Sequence, residues 1–218
     1  MAARLVLVRH AHPATGSDGR LIGSTDPPLD EQGEAQARGL ADRLARLEPE
    51  CCFSSPLARC RQTAAASAGS LPVRLEPDLR EIDFGRWENR SYTEVAAAEP
   101  DLVARWADYD PGFAFPGGES LEAFRARILR VAGRLADDPA GTVLAVSHAG
   151  VIRALVCHYL GLRPAQYVLF DVGHASITLI HLFDGRGVLA IDAACRTRHA
   201  PRDVIPLAER EEYREMSR

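Results

Sequence analysis

The sequence predicts an α/β fold: a three-layer α/β/α sandwich with a mostly parallel central sheet and a small helical cap insertion. Three observations carry this. Short apolar runs at Arg4–Val8, Cys51–Ser54 and Val143–Ser147 have the length and composition of buried strands. Stretches with apolar residues at helical spacing follow them, and that alternation belongs to sheets covered by helices on both faces. The region from Phe84 to Gly118 breaks the alternation, and is expected to be a cap or insertion over the site.

Taken in order, Arg4–Val8 is the first strand, and the chain leaves it through a loop at Ala11, His12, Pro13 and Gly16. A helix is predicted from Asp30 to Leu47, with Asp30 as N-cap and Pro49 beyond its end. Cys51–Ser54 is a short strand. Pro56 stands in the first turn of a helix from Leu57 to about Ser67, which stops near Gly69. Val73–Ile82 reads as extended. Two helices follow at Tyr92–Glu99 and Leu102–Tyr109, then a Gly/Pro-rich loop at 110–118 and a helix from about Ser120 to Ala136. Val143–Ser147 is a near-pure apolar strand leading into a helix from Ala149 to Leu160, ended by Gly161. Ser176–Phe183 and Val188–Ile191 flank Asp184-Gly185-Arg186-Gly187, a hairpin turn. The tail beyond Arg196 is polar, with a helix expected at Leu207–Met216.

The 218 residues are read as one domain over 1–218, with the cap at about 84–118 and the tail at about 196–218. A net charge of −4 gives no basis for a nucleic-acid partner or an anionic membrane surface. No run is long enough to span a bilayer, and no secretory h-region stands at the N-terminus. Five irregularly spaced cysteines fit neither a disulfide framework nor a zinc pattern. A cytoplasmic location follows as the expectation. The apolar Ile177–Leu182 stretch is read as a sheet edge on which a second copy could pair, so a homodimer is an open expectation.

The chemistry-bearing residues stand at the ends of these elements. Arg9-His10 closes the first strand, where open α/β sheets place ligands. An imidazole is a competent nucleophile, and a guanidinium matches phosphate oxygens. Ser54-Ser55-Pro56-Leu57-Ala58-Arg59 and Ser147-His148-Ala149-Gly150 both follow strands and open helices, whose N-termini suit anions. Arg80-Glu81-Ile82-Asp83-Phe84-Gly85 adds a carboxylate. A phosphoryl group needs cationic donors, an in-line nucleophile and a proton for the leaving oxygen. Arg9, Arg59, His10, His148 and Glu81 supply these without a metal. His10 and His12 are two apart, but no third ligand is spaced to complete a metal site and Arg9 would repel the ion, so neither metal nor cofactor is expected.

With Leu7-Val8-Arg9-His10-Ala11, the Ser54–Arg59 run with Thr63-Ala64, Glu81–Glu88 and Ser147–Gly150 in this order, the chain resembles the histidine phosphatase superfamily, the phosphoglycerate-mutase-like group, over about residues 4–195. The resemblance implies that His10 attacks phosphorus and becomes a phosphohistidine. It implies that Arg9, Arg59 and His148 hold the phosphoryl oxygens, with Ala149 and Gly23 also binding substrate. It further implies that Glu81 protonates the leaving oxygen and then deprotonates the attacking water. Asp83 and Glu88 are weaker candidates for that last role. For His10 to attack, its other ring nitrogen should donate to a backbone carbonyl.

Phe84-Gly85-Arg86-Trp87-Glu88, Trp106 and Phe115–Ser120 resemble α-ribazole phosphatases and broad-specificity phosphatases within the family. The implied substrate is a small phosphorylated metabolite, in its most specific form α-ribazole 5′-phosphate of cobalamin synthesis. A phosphoglycerate-type mutase, a broad-specificity phosphatase and a non-catalytic phospho-ligand module are the alternatives. Ala11, His12 and Gly16 depart from the family's usual Gly, Glu and Asn. Ile22 stands where mutases present a hydroxyl. His158, His174, His181 and His199 belong to no constellation, although His174 precedes a strand expected near the site. Trp87 and Trp106 read as cap core.

Overall fold

The structure, a computed structural model, describes residues 2–14, 19–183 and 186–190. In chain order the elements are β1 (Arg4–Arg9), α1 (Glu31–Ala45), β2 (Cys51–Ser54), α2 (Ala58–Ser67), β3 (Val73–Leu75), α3 (Tyr92–Ala98), α4 (Pro100–Ala107), α5 (Leu121–Asp137), β4 (Thr142–Ser147), α6 (Ala149–Tyr159), β5 (Ile177–Phe183) and β6 (Arg186–Ala190). Gly16, the first two residues of the expected 184–187 turn, Cys195, His199 and the helix expected at 207–216 lie outside the described residues. Among the described residues, no helix is long and apolar enough to cross a membrane.

One six-stranded sheet runs in the order β3-β2-β4-β1-β5-β6. β3, β2, β4 and β1 pair in parallel, and β5 is antiparallel to both β1 and β6. The mixed, mostly parallel sheet with helices on both faces is the predicted sandwich. The two-residue period of the strands sorts their side chains into two cores. Leu5 and Leu7 of β1, Val143 and Ala145 of β4 and Cys51 of β2 join the core that includes Ile128 and Val131 of α5 and Ile152 and Leu155 of α6. Val6, Val8, Leu144, Val146 and Cys52 face the other way, onto Leu40 and Leu44 of α1 and Cys60 and Ala64 of α2. The central strands are buried on both sides, which is why they read as unbroken apolar runs.

Local signals act as predicted at several ends. The Asp30 carboxylate accepts from Gly33 N–H and caps α1. Ser120 caps α5, and Ser91 with Glu94 forms a capping box on α3. The chain differs from expectation in several places, among them β6, which begins at Arg186 inside the expected turn. Val73–Ile82 is a strand only to Leu75, because Pro77, which has no N–H to give a ladder, begins a 3₁₀ turn at Pro77–Leu79. The second cap helix begins at Pro100, a proline suited to a first turn. Pro164–Leu169 forms an unpredicted 3₁₀ segment. The Ile177–Leu182 stretch is not an edge: β5 lies between β1 and β6, so its backbone is already paired on both sides.

The cap segment packs around aromatic rings. Trp87 is fully buried, its ring centroid 5.5 Å from that of Phe115, while Phe84 and Phe113 each lie 5.0 Å from Phe115. The Trp87 indole N–H donates to Glu99 Oε1 at 3.1 Å. Gly85, at φ +54°, lies where a β-carbon would come within 2.4 Å of Pro116 O, so only glycine lets the two cap loops cross.

Candidate active site

Strand register builds the site. Arg9 of β1 pairs with Ser147 of β4, so His10 and His148 emerge side by side, one residue past the carboxyl ends of adjacent central strands. His10 N–H donates to Ser147 O at 2.9 Å, and the two imidazole centroids are 5.1 Å apart. Ser55 likewise follows β2, its N–H bonded to Val146 O. The first turns of α2 and α6 therefore open toward the same place.

His10 Nδ1 lies 2.8 Å from Ala11 O. A carbonyl only accepts, so Nδ1 carries the proton and Nε2 presents its lone pair. The expected carbonyl partner is thus that of the next residue. Ala11 N–H is tied in turn to Thr63 Oγ1, whose hydroxyl donates to Arg59 O. Burial, reinforced by His148, Arg9 and Arg59, holds His10 neutral, its pKa well below the ordinary imidazole value. His148 is depressed in the same way, first by burial and then by Arg59 and Arg9. Its Nε2 lies 2.9 Å from Ser55 Oγ and 3.3 Å from Cys60 Sγ.

The guanidinium groups are held from behind. Arg9 donates through Nη1 to Val172 O at 2.7 Å and through Nη2 to His174 Nε2 at 2.9 Å. Burial lowers Arg9 to about 10, which leaves it charged at neutral pH. Because arginine can only donate, His174 Nε2 must be unprotonated, and burial beside Arg9 lowers that imidazole to about 3. Arg59 is fully buried and donates to Gly23 O at 2.8 Å and Thr25 O at 2.7 Å. The Nε atoms of both arginines are buried without a partner.

A cavity of about 520 Å³ opens over these groups. Arg9, His10, Glu81, Ala149, Gly150 and His174 stand on its wall near the strand ends, and Arg20, Arg125, Arg153, Phe84, Trp106, Tyr109 and Tyr167 are among those lining the rest. Arg59 and His148 are fully buried and do not line the cavity, nor does Gly23, whose carbonyl accepts from Arg59. Glu81 Oε2 accepts from Gly150 N–H and Oε1 from Ile82 N–H, both at 3.0 Å.

The competing carboxylates are engaged elsewhere. Asp83 accepts from Ser24 Oγ–H and Gly85 N–H. Glu88 accepts from the backbone N–H groups of Gly23, Ser24, Thr25 and Phe84. That ring of amides is an anion nest filled by the chain's own carboxylate, and it fixes the loop whose carbonyls grip Arg59.

Sequence reasoning left two contributors out of the site. His174, which belongs to no motif but precedes a strand expected near the site, does line the cavity, and its bond from Arg9 is what the sequence did not show. Ser55 stood inside a quoted motif, but its contact with His148 spans 93 positions of sequence. His12, one of the departures from the family pattern, pairs through Nδ1 with Asp30 Oδ2 at 2.7 Å.

The model of the histidine phosphatase superfamily (branch 1) matches residues 5–191. Phosphoserine phosphatase 1 of Hydrogenobacter thermophilus is 35% identical over 189 residues, covering 85% of this chain and 90% of that protein. A glucosyl-3-phosphoglycerate phosphatase of Mycolicibacterium vanbaalenii is 34% identical over 184 residues, covering 79% and 81%. The crystal structure of the α-ribazole phosphatase of Shigella flexneri superposes with a TM-score of 0.76 at 29% identity, covering 86% of this chain and 95% of that one. The chain belongs to the histidine phosphatase superfamily, in its branch 1, and is by that membership a phosphatase.

Proposed function

We propose that the chain hydrolyses the phosphomonoester of a small metabolite through a phosphohistidine on His10, without a metal. The observation that carries this is the Nδ1–H···O=C bond from His10 to Ala11 O, which leaves the Nε2 lone pair free beside cationic groups. In the first step that lone pair attacks phosphorus, the P–O ester bond breaks, and the leaving oxygen takes a proton from Glu81. In the second, water attacks phosphorus and gives a proton to Glu81. The P–N bond then breaks and returns its electron pair to Nε2. The unpartnered Nε atoms of Arg9 and Arg59 support an oxyanion between them, since buried donors in native proteins rarely stay unpaired.

The finer reading is α-ribazole 5′-phosphate. A cavity of about 520 Å³ walled by Phe84, Trp106, Tyr109 and Tyr167 suits a planar, weakly polar leaving group better than a small acid. A second reading, an ester carrying a carboxylate, is favoured by Arg153. Its Nε is fixed on Phe170 O at 2.7 Å, and it has no ion pair among the described residues. A phosphate-release screen in EDTA, with α-ribazole 5′-phosphate, O-phosphoserine, 3-phosphoglycerate and sugar phosphates, tests both. Hydrolysis with an acid-labile phosphoenzyme that disappears in His10→Ala is expected. Dependence on added metal, or full turnover by His10→Ala, would overturn the mechanism. Phosphoryl exchange that needs a bisphosphate primer and releases no phosphate would mark a mutase, and binding without turnover a ligand module.

A further inference from the structure

We propose that the Arg127–Glu119 pair is the positioning device for Glu81, so that proton transfer to the leaving group depends on a guanidinium that touches no substrate. This rests on the reading of Glu81 as the proton donor.

The main chain that carries Glu81 has little support of its own. It follows the 3₁₀ turn at Pro77–Leu79 and has no strand partner. Arg127 of α5 supplies what the sheet does not. Its Nη1 donates to Asp78 O at 2.8 Å and Arg80 O at 2.6 Å, and its Nη2 donates to Glu81 O at 3.1 Å. The remaining N–H groups form a fork on Glu119, Nε to Oε1 at 2.7 Å and Nη2 to Oε2 at 2.9 Å. All five donors of the group are thereby used.

Glu119 locks the far side of the same segment. Its N–H donates to Asp83 O at 2.9 Å, and its Oε2 accepts from Asp83 N–H at 3.4 Å. Backbone from Asp78 to Asp83 is thus clamped on both sides of Glu81, while the Glu81 carboxylate reaches over to Gly150 N–H. The Arg127 side chain is 6% exposed, against 57% for Arg130 and 43% for Arg134, so its guanidinium is the one taken from solvent. Its neighbours lie one and two turns along: Arg130 binds Asp78, and Arg134 binds Glu76 and Asp78, at the surface. Those forks hold carboxylates, whereas Arg127 alone turns its N–H groups to the main-chain carbonyls of Asp78, Arg80 and Glu81, which sets the path of the backbone itself.

The experiment separates positioning from folding by the leaving group. An alkyl phosphate needs a proton on its departing oxygen; p-nitrophenyl phosphate leaves as a stable phenolate. The rate of phosphoenzyme formation from each is measured by acid quench in wild type, Glu81→Gln, Arg127→Lys and Arg130→Gln, with melting curves for all. Arg127→Lys keeps the charge and loses the fork.

The expected result is a fall on the order of 10² with the alkyl ester and less than about threefold with the p-nitrophenyl ester for Arg127→Lys, matching the pattern of Glu81→Gln, and no change for Arg130→Gln. If Glu81→Gln slows both esters alike, the role of Glu81 is wrong. If Glu81→Gln separates the esters and Arg127→Lys does not, the positioning role is overturned while the role of Glu81 stands. Should Arg127→Lys fail to fold, Glu119→Gln, which keeps the shape and removes one charge, carries the same test with the same two outcomes.

Discussion

Gly150→Ala isolates one methyl group at the point where helix α6 meets the carboxylate. A β-carbon there would lie 2.5 Å from Glu81 Oε1 and 3.2 Å from its Cδ. Ordinary contact needs roughly 3.5 Å, so the carboxyl group must withdraw by about 1 Å and give up the bond from Gly150 N–H. A displacement of about 1 Å at a reacting group costs on the order of 10² in rate, or about 2.7 kcal/mol of barrier. The helix works in the opposite direction, since alanine is favoured over glycine there by up to about 1 kcal/mol. Hydrolysis of an alkyl phosphomonoester should therefore fall by about two orders of magnitude while the melting temperature holds or rises. Full activity in a folded Gly150→Ala variant would refute the placement of Glu81 against this helix as the source of its role.

Further outcomes follow from the buried groups. Arg59→Met leaves Gly23 O and Thr25 O without their donor, which costs about 1–3 kcal/mol for each carbonyl, and should lower kcat/KM by about 10²–10³; a loss under tenfold would place phosphoryl binding elsewhere. Trp87→Ala empties the centre of the cap and should lower stability by about 3–5 kcal/mol, read from the urea midpoint, with an unchanged midpoint counting against the aromatic cluster as the cap's core. His10, His148 and His174 are neutral in the folded chain, the last down to about pH 3. Unfolded imidazoles titrate near about 6.5, so below that pH the unfolded state binds more protons and stability falls as the pH drops. The melting temperature should decline from about pH 7 to about pH 5, less steeply in His174→Asn; a flat profile would remove this account.

The residues legible in the sequence were those whose role is declared locally. Val6, Val8, Leu144 and Val146 form runs that are apolar because both sheet faces are covered. Asp30 three residues before Gly33 announces a cap. Arg9-His10 and Ser147-His148 stand at strand ends, and parallel pairing of those strands brings them together. What escaped is held by contacts across the chain. Arg127 looks like any helix arginine, one of several at helical spacing in α5, until Asp78, Arg80 and Glu81 turn their carbonyls toward it. The place of His174 near the site was readable from the strand it precedes, but not the guanidinium that donates to it. Glu81, already preferred over Asp83 and Glu88 in the sequence, differs from them in lining the cavity with its carboxylate on Gly150 N–H, a contact 69 positions away. The interior position of β5 was equally hidden, since an apolar strand reads the same at an edge as between neighbours.

The pairing of Arg9 with Ser147 has a thermodynamic consequence. The residues proposed to hold the phosphoryl group, 9–10, 59, 81 and 148–149, meet only when β1, β2 and β4 are aligned and α6 is docked. An oxyanion seated there acts as a non-covalent cross-link between stretches that are far apart in the unfolded chain. On the proposed reading, inorganic phosphate is expected to bind the native ensemble alone, and at 100 times its dissociation constant it would add about 2.7 kcal/mol to the unfolding free energy, read as a rise in melting temperature. A ligand held at that junction would thus stabilise the whole sheet and not the loops alone.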